Sequence, residues 1–221
     1  MKILIFGATG MLGHAVFLTL SQDKRLKVFG TIRAESSKNL FPSELSSNLI
    51  PNIDVENVGC LKSVFEISKP DVVINCIGII KQLSEANDVL KTIPINTLLP
   101  YRLSALSKEF GSRLILISTD CVFSGKKGNY SETDFPDCED LYGRSKLLGE
   151  IDNSKNILTI RTSIIGHELR GGHSLLDWFL NTSGEVEGYS RAVFSGLPTI
   201  ELAEIIKNII NKYPNLHGIY H

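Results

Sequence analysis

The chain has 221 residues, enough for one large domain or one domain with a small appendage. Apolar residues make up 43% and charged residues 21%, the balance of an ordinary soluble globular protein with a sizeable core. A formal charge of −1 excludes a general pull toward nucleic acid or an anionic membrane, so any phosphate-bearing ligand needs a local site.

Short apolar strands alternate with amphipathic helices along the chain, the pattern of a parallel sheet covered on both faces. Lys2–Phe6 reads as a strand. Met11–Ser21 reads as a helix with Leu12, Val16 and Leu20 on one face. Lys27–Ile32 is a second strand, and the Ser-rich segment 34–47 a surface connection. Leu49–Ile53 reads as a short strand, Val58–Ser68 as a helix and Asp71–Cys76 as a buried strand. Residues 83–110 look helical, but Pro94 and Pro100 disfavour helix in the residue before each, so two helices or one kinked helix are expected.

Arg113–Ile117 is another buried strand, 124–141 a loop rich in Gly, Asp and Pro, Tyr142–Ile151 a helix and Ile157–Arg161 a strand. Later helices are expected at Leu175–Leu180 and Ile200–Asn211, the latter with Thr199 as N-cap and Glu201 in its first turn. Gly218–His221 reads as the opening of a strand, so the chain is expected to stop inside an element. The expected class is α/β, a Rossmann-type doubly wound parallel sheet. Residues 1–165 would form the NAD(P)-binding domain, and 166–221 a small, incomplete substrate lobe interwoven with it.

The four cysteines, Cys60, Cys76, Cys121 and Cys138, are scattered without a C-x-x-C pair, which reads as reduced structural thiols in a cytosolic protein. Neither the pairing nor the His spacing of a zinc site is present, and no metal is expected. No signal peptide is visible, and the longest apolar run, Val72–Ile80, is far too short to span a membrane. The expected location is cytoplasmic.

Gly7-Ala-Thr9-Gly10-Met11-Leu12-Gly13 follows a strand and opens a helix. Gly7 permits a tight turn, Gly10 lets a diphosphate approach the backbone, and Gly13 lets the helix pack close to the sheet. The helix start then offers free N–H groups and a positive dipole end to phosphates. A dinucleotide site for NAD usually carries Asp or Glu at the end of the second strand, to bond a ribose 2′-hydroxyl. Here that strand ends Gly30-Thr-Ile-Arg33, with no acid before Glu35. Arg33 is placed to pair with a 2′-phosphate, so NADP(H) is the expected cofactor and NAD(H) the alternative. Asp54 and Val55 are candidates to cap the adenine. Asn75, Cys76, Ile77 and Gly78, after the fourth strand, are candidates to line the cofactor cleft.

Tyr142-Gly-Arg-Ser-Lys146 opens a helix, and a spacing of four puts Tyr142 and Lys146 on one face. Carbonyl reduction by hydride needs a proton donor at the nascent alkoxide. A phenol serves, and a neighbouring ammonium lowers its pKa. Lys146 is also within reach of a nicotinamide ribose. The strand Arg113–Ile117 ends in Ser118-Thr119-Asp120, at the carboxyl edge where ligands bind, and a hydroxyl there can polarise a carbonyl.

Three runs, Ser118–Gly125, Gly128–Asp134 and Leu141–Glu150, with Arg161-Thr-Ser163 and the late Gly196-Leu-Pro-Thr, resemble the bacterial dTDP-4-dehydrorhamnose reductases, which are extended short-chain dehydrogenase/reductases. The resemblance spans most of the chain and is densest over 113–165. It implies a catalytic trio: Tyr142 as proton donor, Lys146 as its modulator and ribose anchor, and Thr119 as carbonyl ligand. Ser118 stands behind them, toward the cofactor. The implied activity is NADPH-dependent reduction of the 4-keto group of a nucleotide-linked deoxysugar, feeding polysaccharide biosynthesis.

Three positions depart from that family. Cys121 replaces a common aromatic residue, Ile164 a frequent tryptophan, and Ile77–Lys81 a polar run. All flank the expected sugar pocket, so the sugar itself is left open. Related dehydratases carry Glu where Cys121 stands, which disfavours water elimination here. A nucleotide-sugar 4-epimerase and a non-catalytic NADP-binding regulatory subunit are the alternatives. The expected partners are a nucleotide-sugar substrate and, for protein contacts, a second copy in a homodimer, with neither nucleic acid nor membrane.

Weaker candidates complete the reading. Asp120 either accepts a backbone N–H or binds substrate, with Cys121 and Ile164 beside it. His14 reads as a packing residue. His167, His173 and Arg170 occupy a polar loop that either closes over substrate phosphates, with Arg170 as the contact, or stays solvated. Trp178 is expected to pack in the core rather than stack on a base.

Overall fold

In the computed structural model, which describes residues 1–172 and 174–221, seven parallel strands form the central sheet. They are β1 (Lys2–Phe6), β2 (Lys27–Thr31), β3 (Leu49–Ile50), β4 (Val72–Asn75), β5 (Arg113–Ser118), β6 (Ile157–Arg161) and, further on, β9 (Gly218–Tyr220). The spatial order is β3-β2-β1-β4-β5-β6-β9. The chain winds outward from β1 to β3, then returns to the other side of β1 and winds outward again through β4 to β9. The order therefore reverses between β1 and β4, and the carboxyl ends of these two strands bound a crevice.

Buried alternation gives the sheet two apolar faces. On one face Ile3 and Ile5 of β1 pack with Leu12, Val16 and Leu20 of α1 (Met11–Ser21) and with Leu202, Ile206 and Ile210 of α7 (Thr199–Lys212). On the other face Leu4 and Phe6 pack with Leu61, Val64 and Phe65 of α2 (Val58–Ser68) and Leu99, Leu103 and Leu106 of α4 (Leu99–Phe110). A second, two-stranded sheet joins β7 (Ser163–Ile165) to β8 (Gly196–Pro198), with α6 (Leu175–Asn181) between them in sequence. In the segment 166–221, α7 and β9 belong to the layers of the main sheet, and β9 pairs with β6.

The region with two prolines is one kinked helix. A short helix α3 (Val89–Ile93) runs into a π turn at Pro94–Leu98 and then into α4, and Ile93 and Leu99, which precede the prolines, both keep helical backbone angles. Pro94 has no N–H to give to the α-helical ladder, and the wider π turn takes up that break. Two expectations are corrected. Thr199 is the first residue inside α7 rather than its cap, and Pro198 occupies the cap position without a side-chain hydrogen bond. Trp178 is 48% exposed, and none of α6 is buried. That helix is held at its N-terminus by polar contacts, not by an apolar face. Among the described residues no helix is long and apolar enough to cross a membrane.

Candidate active site

The glycine loop connects β1 to α1 at the switch point. A side-chain carbon at Gly13 would stand 2.0 Å from the Gly7 carbonyl oxygen, so only glycine lets α1 begin this close to the strand it follows. Gly10 caps α1 without any side-chain hydrogen bond, which leaves the first-turn N–H groups available to an anion. In front of them lies a cleft of about 780 Å³. Gly7, Thr9, Gly10, Arg33, Asp54, Val55, Cys76, Ile77 and Gly78 line it, as do Glu85, Lys91 and Ile95, which sequence reasoning did not single out. The volume of this cleft, with residues of the uncapped helix start and the Arg33 cation in its lining, suits an extended dinucleotide.

The remaining expected cofactor residues lie around this cleft without lining it. Leu12 is buried in the core, and Gly13 serves helix packing. Met11 opens α1. Asn75 is 3% exposed, and its side chain accepts from the Ile77 N–H at 3.1 Å, which shapes the turn carrying Cys76–Gly78 into the cleft. The Ser118 hydroxyl turns inward and donates to Glu150 at 2.6 Å. Arg33 is exposed in the cleft lining, with no ion pair or hydrogen bond among the described residues.

Tyr142 and Lys146 are carried on α5 (Leu141–Leu148), whose N-cap Asp140 accepts from the Gly143 N–H at 2.8 Å. The helix is bolted to the π turn. Asn96, 2% exposed, donates from Nδ2 to Ser145 Oγ (3.1 Å) and to the Ile79 carbonyl (3.0 Å), and its Oδ1 accepts from the Ile79 N–H (2.9 Å). Thr97 Oγ1 donates to the Ser145 carbonyl at 2.8 Å. Asn96 thus joins the cleft wall after β4 to the helix of the Tyr–Lys pair. Its only sequence signal was a polar residue in an apolar helical stretch between two prolines.

The Lys146 ammonium is partly buried and donates to the Ile117 carbonyl at 2.6 Å. Burial pulls its pKa down to about 8, while the Glu150 and Cys76 side chains act to raise it. Tyr142 departs from expectation. Its phenol is pushed up to about 12, first by burial, with Cys121, Asp120 and Asp140 adding to the effect. The neighbouring Thr119 hydroxyl acts in the opposite direction and is outweighed. Loss of water around the phenolate costs more than the adjacent hydroxyl returns. Tyr142 is therefore a neutral phenol near neutrality, the form that gives a proton.

Thr119 follows β5 and is 4% exposed; its Oγ1 accepts from the Cys121 N–H (3.1 Å) and donates to Asp120 (3.2 Å). Asp120 also accepts from Ser163 Oγ at 2.7 Å, so its carboxylate ties the end of β5 to β7. Cys121 is half-buried, with its thiol raised by burial. Ile164 packs against the core from β7. Lys81, beyond Gly78, pairs with Asp140 at 2.9 Å, and its ammonium lies 5.7 Å from the centre of the Tyr142 ring. Lys81 was visible in sequence only as part of an unusual run.

His14 stacks edge-on against Phe41 at 5.6 Å, a packing role. His167 pairs with Asp177 at 2.7 Å, and at the start of α6 Ser174 Oγ accepts from the Asp177 N–H (3.1 Å) and donates to the Asp177 carboxylate (2.8 Å). The loop is thereby tied to α6, with Arg170 exposed and without a partner among the described residues. His173 lies outside the described residues.

A doubly wound sheet, a glycine loop at its switch point and Thr119, Tyr142 and Lys146 gathered beside the cleft define an extended short-chain dehydrogenase/reductase, a class of NAD(P)-dependent oxidoreductases. Within that class the chain belongs to the family described as RmlD substrate binding domain, which matches residues 1–221.

Among similar proteins is the spore coat polysaccharide biosynthesis protein SpsK of Bacillus subtilis (strain 168), 28% identical over 228 residues, covering 100% of this chain and 72% of that protein. The methionine adenosyltransferase 2 subunit beta of Danio rerio is 33% identical over 153 residues, covering 67% of this chain and 42% of that protein. A solved dTDP-4-dehydrorhamnose reductase from Clostridium acetobutylicum superposes with a TM-score of 0.80 at 26% identity, covering 100% of this chain and 73% of that one. The chain thus spans about three quarters of some relatives and less than half of others.

Proposed function

We propose that the chain carries the cofactor and proton-transfer site of an NADPH-dependent reductase that converts the 4-keto group of a nucleotide-linked deoxysugar to a hydroxyl, for polysaccharide assembly. The observation that carries this reading is the convergence at the end of β5 of Tyr142 and Lys146, from one face of α5, with the Thr119 hydroxyl beside the glycine-lined cleft. The cofactor, when bound, supplies the hydride. The glycine loop and the start of α1 would hold its diphosphate, Asp54 and Val55 its adenine end, and Arg33 a 2′-phosphate. Thr119 orients the substrate carbonyl, and Tyr142 gives its proton to the oxygen as negative charge develops there. Lys146 orients the ribose end and supplies positive charge next to the phenolate that remains. Substrate contacts are assigned to Asp120, Cys121, Ile164 and Arg170.

The likeness to a polysaccharide biosynthesis protein and to a solved sugar-nucleotide reductase supports this reading. Its test is the loss of NADPH absorbance on addition of 4-keto sugar nucleotides in turn. Turnover of one or more supports the assignment, and inertness toward all of them with tight NADPH binding argues against it.

A second reading, a cofactor-binding regulatory subunit, is favoured by the likeness to a methionine adenosyltransferase beta subunit. It predicts that Tyr142→Phe leaves the biological role intact.

A further inference from the structure

Beneath the Tyr–Lys helix lies a buried carboxylate that the proposed reaction does not use. Glu150 and Arg161 are each 4% exposed at their side chains and are joined by two charge-assisted hydrogen bonds, Nε to Oε1 at 2.9 Å and Nη2 to Oε2 at 2.7 Å. Glu150 Oε1 also accepts from the Ser118 hydroxyl at 2.6 Å. The residue before Ser118 receives the Lys146 ammonium on its carbonyl, and the residue after it is Thr119. Consecutive residues at the end of β5 thus contact Lys146, Glu150 and Tyr142 in turn. Glu150 lies four residues beyond Lys146, where α5 ends in a tight turn with the Glu150 N–H on the Leu147 carbonyl at 3.1 Å.

We propose that Glu150 is a positioning residue for the proton-transfer site: its carboxylate is the buried counter-charge that keeps Lys146 protonated, and it anchors the strand end that presents Thr119. Arg161 pairs directly with this anion, and Lys146, four residues earlier in the chain, is a second cation that feels its charge. A lone ammonium here would shed its proton to escape the low-dielectric interior. The groups facing Lys146 are few. Tyr142 lies one turn earlier on α5. Just after β4, Cys76 carries a thiol raised to about 12 and hence neutral. From β5 comes the Ile117 carbonyl, and from the end of α5 Glu150. Glu150 is therefore the anion that sets the charge state of Lys146. It is faced in turn by Ser118 from β5 and Arg161 from β6, whose Nη1 lies 3.3 Å from His221 Nε2. The catalytic meaning of this arrangement rests on the reductase reading, whereas the charge coupling itself does not.

The experiment is a titration of the Lys146 side chain, followed through its ¹³Cε shift in lysine-labelled protein and assigned by the signal lost in Lys146→Met. Glu150→Gln should lower the Lys146 midpoint by about one pH unit or more, and Ser118→Ala, which keeps the carboxylate, should leave it in place. If Glu150→Gln does not fold because Arg161 is left uncompensated, Glu150→Asp is read instead. Drawing the charge back by one methylene should move the midpoint the same way by less. A midpoint that is unmoved in either variant, with only thermal stability lowered, overturns the proposal and leaves Glu150 a structural ion-pair partner. A moved midpoint in a protein that reduces no sugar nucleotide supports the coupling while the reductase reading fails.

Discussion

Gly149 lies against Asn96: a side-chain carbon at Gly149 would stand 2.1 Å from the Asn96 carbonyl oxygen. The end of the helix that carries Tyr142 and Lys146 therefore rests directly on the π turn, with no room for even a methyl group. Gly149→Ala should destabilise the fold by roughly 1–3 kcal/mol through overpacking and displace Lys146. A lowered denaturant midpoint accompanied by weaker cofactor binding is the expected result. A variant as stable as the parent would mean that the two segments separate at little cost.

Asn96 satisfies both backbone groups of Ile79 and reaches Ser145. Asn96→Ala strands these partners in a buried site, so a loss of about 2 kcal/mol is expected, measured by chemical denaturation. Hydrogen exchange should quicken at the Ile79 amide.

Tyr142→Phe removes the proposed proton donor and leaves the ring's packing. The rate of carbonyl reduction should fall at least 10²-fold, while melting temperature and cofactor affinity stay at parental values. Full turnover by this variant would remove Tyr142 from the reaction.

Arg33 tests the cofactor preference. Losing a charge-assisted contact to a 2′-phosphate should weaken NADPH binding by roughly tenfold to a hundredfold in Arg33→Ala, with NADH binding unchanged. Calorimetry with the two cofactors separates this outcome from a general loss of affinity.

Lys146 gives the fold a pH dependence of defined sign. Its folded pKa of about 8 lies below the ordinary lysine value of 10.5, so between these values the unfolded chain binds more protons than the folded one. Stability from this group therefore rises as pH climbs from about 8 toward 10.5, and is lost as pH falls through 8. The full swing is on the order of 3 kcal/mol. Denaturation curves of the parent should show this rise relative to Lys146→Met; parallel curves would mean that the ammonium is solvated.

Local rules were enough for much of the chain because they act over a few residues. Strand β1, helices α1 and α2 and strand β6 have the boundaries that apolar period and flanking breakers dictate. The glycine loop was legible because turn, phosphate approach and helix packing each demand glycine within seven residues. Tyr142 and Lys146 could be paired because helical spacing alone puts them on one face.

Burial and long-range partners could not be read in this way. Asn96 meets Ser145 across 49 residues of sequence and Glu150 meets Ser118 across 32, through contacts that no local pattern encodes. Trp178 looked like a core residue because its neighbours are apolar, yet α6 has no layer against it and stays exposed. The direction of the Tyr142 pKa was misjudged for the same reason, since desolvation is set by everything packed around a group and not by its neighbour one turn away. The amino-acid sequence by itself determined which groups are candidates for the chemistry, because residue type and short spacing suffice to nominate them. Only the tertiary structure decided their charge states and the carboxylate that supports them, because both depend on what the fold removes from water.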